Sequence, residues 1–308
     1  MRAIVQTSVG GPEVLTLADR PDPIPNKGEV LVRVHAAGIN PVDTAVRSGA
    51  YPLLGQPPFT VGWDISGVVE KVGPDTNDFA VGDEVFGMPR FPKEAAAYAE
   101  LVASPARDLV RKPYNIDHLH AGALPLAGLT AWQALVGAGR IASGQRVLIQ
   151  AAAGGVGHLA VQIAKARGAH VVATTSSSKL DFVRNLGADE VIDYAATDFS
   201  AALSDMDIVL EPIGGENAER SLKTLKAGGV LVSLLGISDE AKAEARARNI
   251  RHEHISVVPD QTGLSELAKL IEAGKLDVQL ARTFPLEEAG AAHSFLAGKP
   301  AGKIVLTI

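Results

Sequence analysis

Three glycines fall within four residues, Gly154-Gly155-Val156-Gly157, between a short apolar run and an amphipathic one. Spacing of this kind suits the binding of a pyrophosphate. Such a group must come within hydrogen-bonding reach of backbone N–H groups at a helix N-terminus, and a side chain there would block it. Gly157 would also let the helix lie close to the preceding strand. The pattern departs from G-x-G-x-x-G in carrying Ala152 at the first glycine position. Its context is what a dinucleotide site requires: strand at Val147–Gln150, helix from His158, second strand at Val171–Thr174.

A second group of reactive side chains follows that second strand. An NAD site places Asp or Glu about 20 residues past the glycines, to hold the ribose hydroxyls. Here the chain reads Thr174-Thr-Ser-Ser-Ser-Lys179 and offers no acid. Ser176, Ser177, Ser178 and Lys179 supply hydroxyl donors and a positive charge, as a 2′-phosphate demands. NADPH is therefore expected over NADH. A serine here can also cap the next helix.

The elements that position these residues alternate. Strands are expected at Val147–Gln150, Val171–Thr174, Glu190–Asp193, Asp207–Leu210, Gly229–Leu234 and His254–Val258, with helices between them. A helix over Leu124–Leu135 precedes the series, and another over Gly263–Gly274 follows it. This alternation describes a doubly wound parallel sheet of the α/β class. Residues 1 to about 120 read differently. They are rich in strands and turns, with strands at Glu29–Ala36 and Gly67–Gly73 and frequent Gly and Pro, as in a compact barrel. The last segment carries a helix and a closing strand that ends at Ile308.

Composition excludes several classes. With 46% hydrophobic and 21% charged residues, the chain has the make-up of a soluble globular protein. A net charge of -6 and the absence of a basic run argue against nucleic acid or an anionic membrane as partner. No apolar run is long enough to span a bilayer. Met1 opens directly on a strand without a signal-peptide pattern, so the expected location is the cytoplasm. There is no cysteine, hence no disulfide, thiolate metal site or cysteine nucleophile. The pairs His118/His120 and His252/His254 are two ligands each, which rarely make a metal site.

Five segments together resemble one family: Ala37-Gly-Ile-Asn-Pro-Val-Asp43, Val61-Gly-Trp-Asp-Ile-Ser-Gly-Val-Val69, Gly128-Leu-Thr-Ala-Trp132, Ala151–Gly157 and Gly302-Lys-Ile-Val-Leu306. The chain is similar over its whole length to the medium-chain dehydrogenases/reductases, in their zinc-free, zeta-crystallin-like quinone oxidoreductase branch. The resemblance implies a Rossmann domain (residues 122–262) inserted in a GroES-like β-barrel substrate domain (1–121 and 263–308). It also implies a homodimer joined through the edge strand of the nucleotide-domain sheet. Zinc enzymes of this fold use a cysteine in the stretch matching Gly38–Asp43, and a histidine and a glutamate in the stretch matching Gly62–Asp64. Trp63 and Asp64 stand there instead, so no zinc is expected.

Without a metal to polarise an alcohol or ketone, an acceptor that delocalises its own negative charge is favoured. Quinones and α,β-unsaturated carbonyls do so, and the protein then has to position the reactants and donate hydrogen bonds to the anionic oxygen. The resemblance places Asn40 on the nicotinamide pocket, its amide directed at substrate or ribose, and Tyr51 as a pocket tyrosine. Asp43 can cap the helix that follows it. The basic residue the family often carries just after this aspartate falls near Ala45, with Arg47 two positions on. Thr130 would approach the nicotinamide, and Tyr194 matches the family tyrosine beside the adenosine phosphate. Leu234, Leu235, Gly236, Val257 and Val258 sit where strands end and should face the nicotinamide crevice. Asp64 and Glu211 are read as structural. Two other readings accompany the reductase: an enoyl-thioester reductase, and a non-catalytic NADPH-binding structural or sensor protein.

Overall fold

The computed structural model describes all residues, Met1–Ile308. It divides into two compact units: Met1–Leu129 with Val258–Ala273 and Val278–Ile308, and Thr130–Val257 with Gly274–Asp277. The sequence-based boundaries at 121/122 and 262/263 fall eight residues before the first break and five after the second.

The second unit holds a six-stranded parallel sheet. Its strands in chain order are Arg146–Ile149, His170–Thr175, Glu190–Asp193, Met206–Glu211, Leu225–Ser233 and Arg251–His254, and they lie side by side as 3-2-1-4-5-6. This is the doubly wound order, with its reversal between the first and fourth strands. Val172, Leu148, Val209 and Leu231 are in register across four strands and are all fully buried. Phe199, Leu222 and Ile250 pack against this row. A sheet covered on both faces needs such continuous apolar strands.

The sixth strand corrects the sequence reading. It runs Arg251–His254, whereas a strand at His254–Val258 was expected from the apolar Ile255, Val257 and Val258. Pairing decides the matter. Residues 251–254 are in register with Val230–Ser233, whose strand ends at Ser233, and one further bond, Ile255 N–H to Ser233 O at 3.0 Å, closes the ladder. The expected Leu124–Leu135 helix is also divided. It is α-helical over Pro125–Trp132, with proline at its first position, and π-helical over Gln133–Ala138.

In the first unit the strand Glu29–Ile39 is the spine. It pairs antiparallel with Ile65–Val72, Leu101–Pro105 and Lys303–Thr307. Glu84–Gly87, Leu109–Arg111 and Leu280–Pro285 complete a seven-stranded sheet. Val30, Val32 and Val34 alternate inward onto Ile65, Val69, Val85 and Leu109. The spine ends at Asn40, where the helix Pro41–Ser48 begins.

Candidate active site

The glycine-rich turn begins as the strand Arg146–Ile149 ends. Ala151 takes a left-handed φ of 49°, and Gly154 N–H closes a turn onto Ala151 O at 2.9 Å. The helix Gly157–Ala166 follows. A Cβ on Gly157 would stand 2.3 Å from Ala151 O and 2.7 Å from Ala152 Cα, so only glycine lets the helix start this close to the strand. Gly154 is different, since a Cβ there meets nothing nearer than Ala151 O at 3.2 Å. The amides of Gly155, Val156 and Gly157 make no backbone–backbone hydrogen bond, which leaves three donors at a helix N-terminus. The residues present therefore fit a pyrophosphate.

Glu211, at the end of the neighbouring fourth strand, shapes the adjoining loop. Its carboxylate accepts from Ile213 N–H at 2.7 Å, Gly214 N–H at 2.9 Å and Asn217 Nδ2 at 3.0 Å. Asn217 also donates to Gln150, whose own amide donates to Ser221 Oγ at 2.8 Å. Glu211 is thus spent on the loop.

Ser176 precedes the short 3-10 turn Ser177–Lys179 in extended conformation, yet its side chain makes no capping bond. Its hydroxyl lies 3.4 Å from that of Ser178, and Ser177 and Ser178 are exposed. Capping therefore does not occupy these hydroxyls. Tyr194 joins them: its N–H donates to Thr175 O at 3.2 Å, and its ring is exposed. The structure thus brings Ser176, Ser177, Ser178, Lys179 and Tyr194 to one end of two adjacent strands. Leu234 N–H bonds Glu211 O at 3.0 Å, which puts Leu234, Leu235 and Gly236 at the carboxyl ends of the fourth and fifth strands. Leu235 is exposed, and Gly236 has a left-handed φ of 76°. Val257 is buried and Val258 half exposed, both beyond the last strand, and Thr130 is buried on the Pro125–Trp132 helix.

In the first unit Asn40 lies in a buried polar cluster that gives no local signal in sequence. Its Nδ2 donates to Asp64 Oδ2 at 2.8 Å, and its Oδ1 accepts from Lys303 Nζ. Lys303 also donates to Ile39 O at 3.0 Å and stands 3.6 Å from Asp64. Asp64 Oδ1 accepts from Leu126 N–H at 2.6 Å. Burial raises the Asp64 carboxyl and lowers the Lys303 ammonium, and in each case the other's charge opposes the shift. Gly38 makes room for Asp64, because a Cβ there would sit 2.7 Å from Oδ2 and 2.6 Å from Gly122 O. Gly38→Ala should cost roughly 2 kcal/mol of stability through overpacking, read by urea unfolding; an unchanged midpoint would contradict this packing.

The helix starts three residues earlier than a cap at Asp43 would place it: Asn40 is the N-cap, and Asp43, inside the first turn, closes a capping box by accepting from Asn40 N–H at 2.6 Å. It also opens a second chain of contacts. Tyr98 OH is 2.9 Å from Asp43 Oδ2 and 3.1 Å from His293 Nε2, and Arg47 Nη1 is 3.2 Å from His293 Nδ1. Arginine has no acceptor, so the polarity is fixed. Arg47 donates to Nδ1, Nε2–H donates to Tyr98, and Tyr98 O–H donates to Asp43. Burial first, then Arg47, pushes His293 down to about 3, so it is neutral. Burial pushes Asp43 up to about 7. Arg47 is thereby turned to His293 and to Gly10 O at 3.2 Å. Tyr51 follows this helix on an exposed loop, its N–H donating to Ala45 O at 3.0 Å.

The histidine pairs have other partners. His118 bonds Ser66 Oγ at 2.8 Å and His120 bonds Asp117 at 2.6 Å. His252 bonds Ser233 Oγ at 2.8 Å and His254 approaches Leu234 O at 3.3 Å.

Comparison with known proteins agrees with this architecture. The chain matches the alcohol dehydrogenase GroES-like domain over residues 26–114 and the zinc-binding dehydrogenase domain over 186–306. It is 32% identical over 326 residues to the quinone oxidoreductase of Rattus norvegicus, covering 100% of this chain and 98% of the relative. The quinone oxidoreductase structure from Coxiella burnetii superimposes with a TM-score of 0.94 at 36% identity, covering 100% of this chain and 99% of that one. That of the Escherichia coli quinone oxidoreductase complexed with NADPH gives 0.91 at 29% identity, covering 100% of both. By strand order, glycine turn and this full-length likeness, the chain belongs to the quinone oxidoreductase family of the medium-chain dehydrogenases/reductases and is an NAD(P)H-dependent oxidoreductase.

Proposed function

We propose that the protein is a cytoplasmic homodimer that uses NADPH, without zinc, to reduce a quinone or an α,β-unsaturated carbonyl. The observation that carries the cofactor choice is the uncapped serine cluster Ser176–Ser178 beside Lys179, with no acid at the strand end. Gly154, Gly155, Val156 and Gly157 would hold the pyrophosphate through backbone amides. Ser176 to Lys179, with Tyr194 alongside, would hold the 2′-phosphate. Thr130, Leu234 to Gly236, Val257 and Val258 would line the nicotinamide. Bound NADPH supplies a hydride to the conjugated carbon of the acceptor. Asn40 donates a hydrogen bond to the oxygen that becomes anionic, and Tyr51 walls the acceptor.

Zinc independence is supported by the residues. The chain has no cysteine, and Asp64 is committed to Asn40 and Leu126. The homodimer is supported by the strand Arg251–His254, which pairs on one side only.

The test is titration with NADPH and NADH, followed by NADPH oxidation with a quinone and with an enone. NADPH should bind much more tightly. Lys179→Ala should weaken NADPH about tenfold or more by removing a charge-assisted contact, and leave NADH within about twofold. Equal binding of the two cofactors by the wild-type protein would sink the assignment. Tight NADPH binding with no turnover on any acceptor would favour the non-catalytic reading.

A further inference from the structure

The geometry points to Asp64 and Lys303 as a positioning pair that holds the Asn40 amide in one orientation, its remaining N–H presented to the acceptor. The inference rests on the role of Asn40 proposed above. Lys303 can only donate, so the carbonyl end of Asn40 must face it. Asp64 takes a hydrogen bond on each oxygen, from Leu126 N–H and from Asn40 Nδ2, and as the carboxylate partner of the Lys303 ammonium it faces the NH2 end of Asn40. A flipped amide would set Nδ2 against an ammonium and Oδ1 against a carboxylate. No hydrogen-bonding scheme satisfies that arrangement.

The device is built rather than incidental. The side chains of Lys303 and Asp64 are 2% and 0% exposed. Apolar residues of the same volume would suit such a site at least as well for stability, so a buried ion pair is better explained by the geometry it imposes. Lys303 is anchored independently on Ile39 O, one residue before Asn40, and Asp64 on Leu126 N–H at the start of the helix that carries Thr130. Asn40 keeps one Nδ2–H uncommitted. The donor is what an oxygen gaining negative charge requires, and its direction is set by two residues that need not touch the acceptor themselves.

The test uses the full-length protein in steady-state NADPH oxidation and, independently of activity, in NMR of the asparagine side-chain amides, with Asn40 assigned by its absence from N40A. K303M should shift the Asn40 amide signals and speed their hydrogen exchange. It should also lower kcat about tenfold through misorientation, with KM for the quinone changed less than about threefold. In the N40A background K303M should cost less than about twofold, because two residues acting through one group are not additive. Unshifted Asn40 signals in K303M, or additive losses in the double variant, would overturn the pair. If the signals move but N40A is as active as wild type, the role given to Asn40 fails, and positioning fails with it. A wild-type protein that oxidises no NADPH would indict the reductase reading alone, and the amide signals then decide for or against the clamp. Should K303M not fold, N40D/D64N exchanges donor and acceptor while keeping each hydrogen bond and the net charge. It should fold with a Tm near wild type and a kcat no higher than that of N40A; wild-type kcat would overturn the proposal.

Discussion

Gly157→Ala should lower the stability of the protein by about 2–3 kcal/mol and weaken NADPH about a hundredfold, as overpacking displaces the first helical turn and its amides. The reason is distance: the new Cβ would lie 2.3 Å from Ala151 O and 2.7 Å from Ala152 Cα, both backbone atoms with no rotamer by which to retreat. Gly154→Ala separates the two uses of glycine in this turn. Its Cβ would meet only Ala151 O at 3.2 Å, so the fold should be kept within about 1 kcal/mol, yet a methyl group would stand where phosphate approaches. Calorimetric titration and thermal melts of both variants check this. Equal loss of stability in the two, or a Gly157→Ala protein that binds NADPH normally, would contradict the account.

The buried chain Arg47–His293–Tyr98–Asp43 makes a prediction about pH with opposite signs at its two ends. His293 titrates near 3 in the folded protein and near its ordinary 6.5 when unfolded. Between those values only the unfolded chain takes the proton, so this residue's contribution is present above 6.5 and is lost as pH falls towards 3. Asp43 titrates near 7 folded and at the ordinary 3.8 unfolded. Between those values only the folded chain holds the proton, so its contribution is present below 3.8 and is lost as pH rises towards 7. The two slopes oppose each other over the shared window from 3.8 to 6.5, and the wild-type protein should gain or lose little there from this pair. His293→Gln keeps an acceptor for Arg47 and a donor for Tyr98 but cannot titrate. Relative to wild type, its unfolding free energy should fall by about 3 kcal/mol between pH 4 and pH 7, because the His293 contribution that wild type gains between pH 4 and 6.5, about 2.5 pK units at 1.36 kcal/mol each, is gone. Urea unfolding at a series of pH values reads this directly. Curves that stay parallel to wild type would mean that His293 titrates alike in the folded and unfolded chains and is not held neutral by burial.

What the sequence revealed and what it concealed follow from the range of the interactions. The strands of the parallel sheet are short apolar runs between turn residues, and the glycine turn is a contiguous pattern, so both are legible locally. The sixth strand is polar, Arg-His-Glu-His, and is a strand because Val230–Ser233 offers it a partner. Periodicity instead favoured the apolar residues just past it. The pairing of Asn40 with Asp64 and Lys303 has no local signature, although each of the three falls in a family segment. Lys303 reads as an ordinary strand lysine before Ile-Val-Leu, and His293 as one polar position in an alanine-rich helix. Their partners stand 263 residues away for Lys303–Asn40 and 195 for His293–Tyr98. Asp64 was read as structural, and its structural part is the holding of Asn40. Arg47, two positions past the place of the family's basic residue, directs its guanidinium at His293 and Gly10 O.

The pairing of Lys303–Thr307 with Glu29–Ile39 also bears on how the protein is made. The nucleotide-binding unit is almost one uninterrupted span, Thr130–Val257, and domains of that kind fold as their residues leave the ribosome. The other unit cannot close its sheet, nor balance the buried charge of Asp64, until Lys303 has been synthesised. A nascent chain should therefore acquire the capacity to bind cofactor before it acquires an ordered Asn40. Release of the last few residues is then the step that turns a nucleotide-binding intermediate into an enzyme, and pulse-proteolysis of stalled chains ending near residue 300 would find the Rossmann span protected while the first hundred residues are still cleaved.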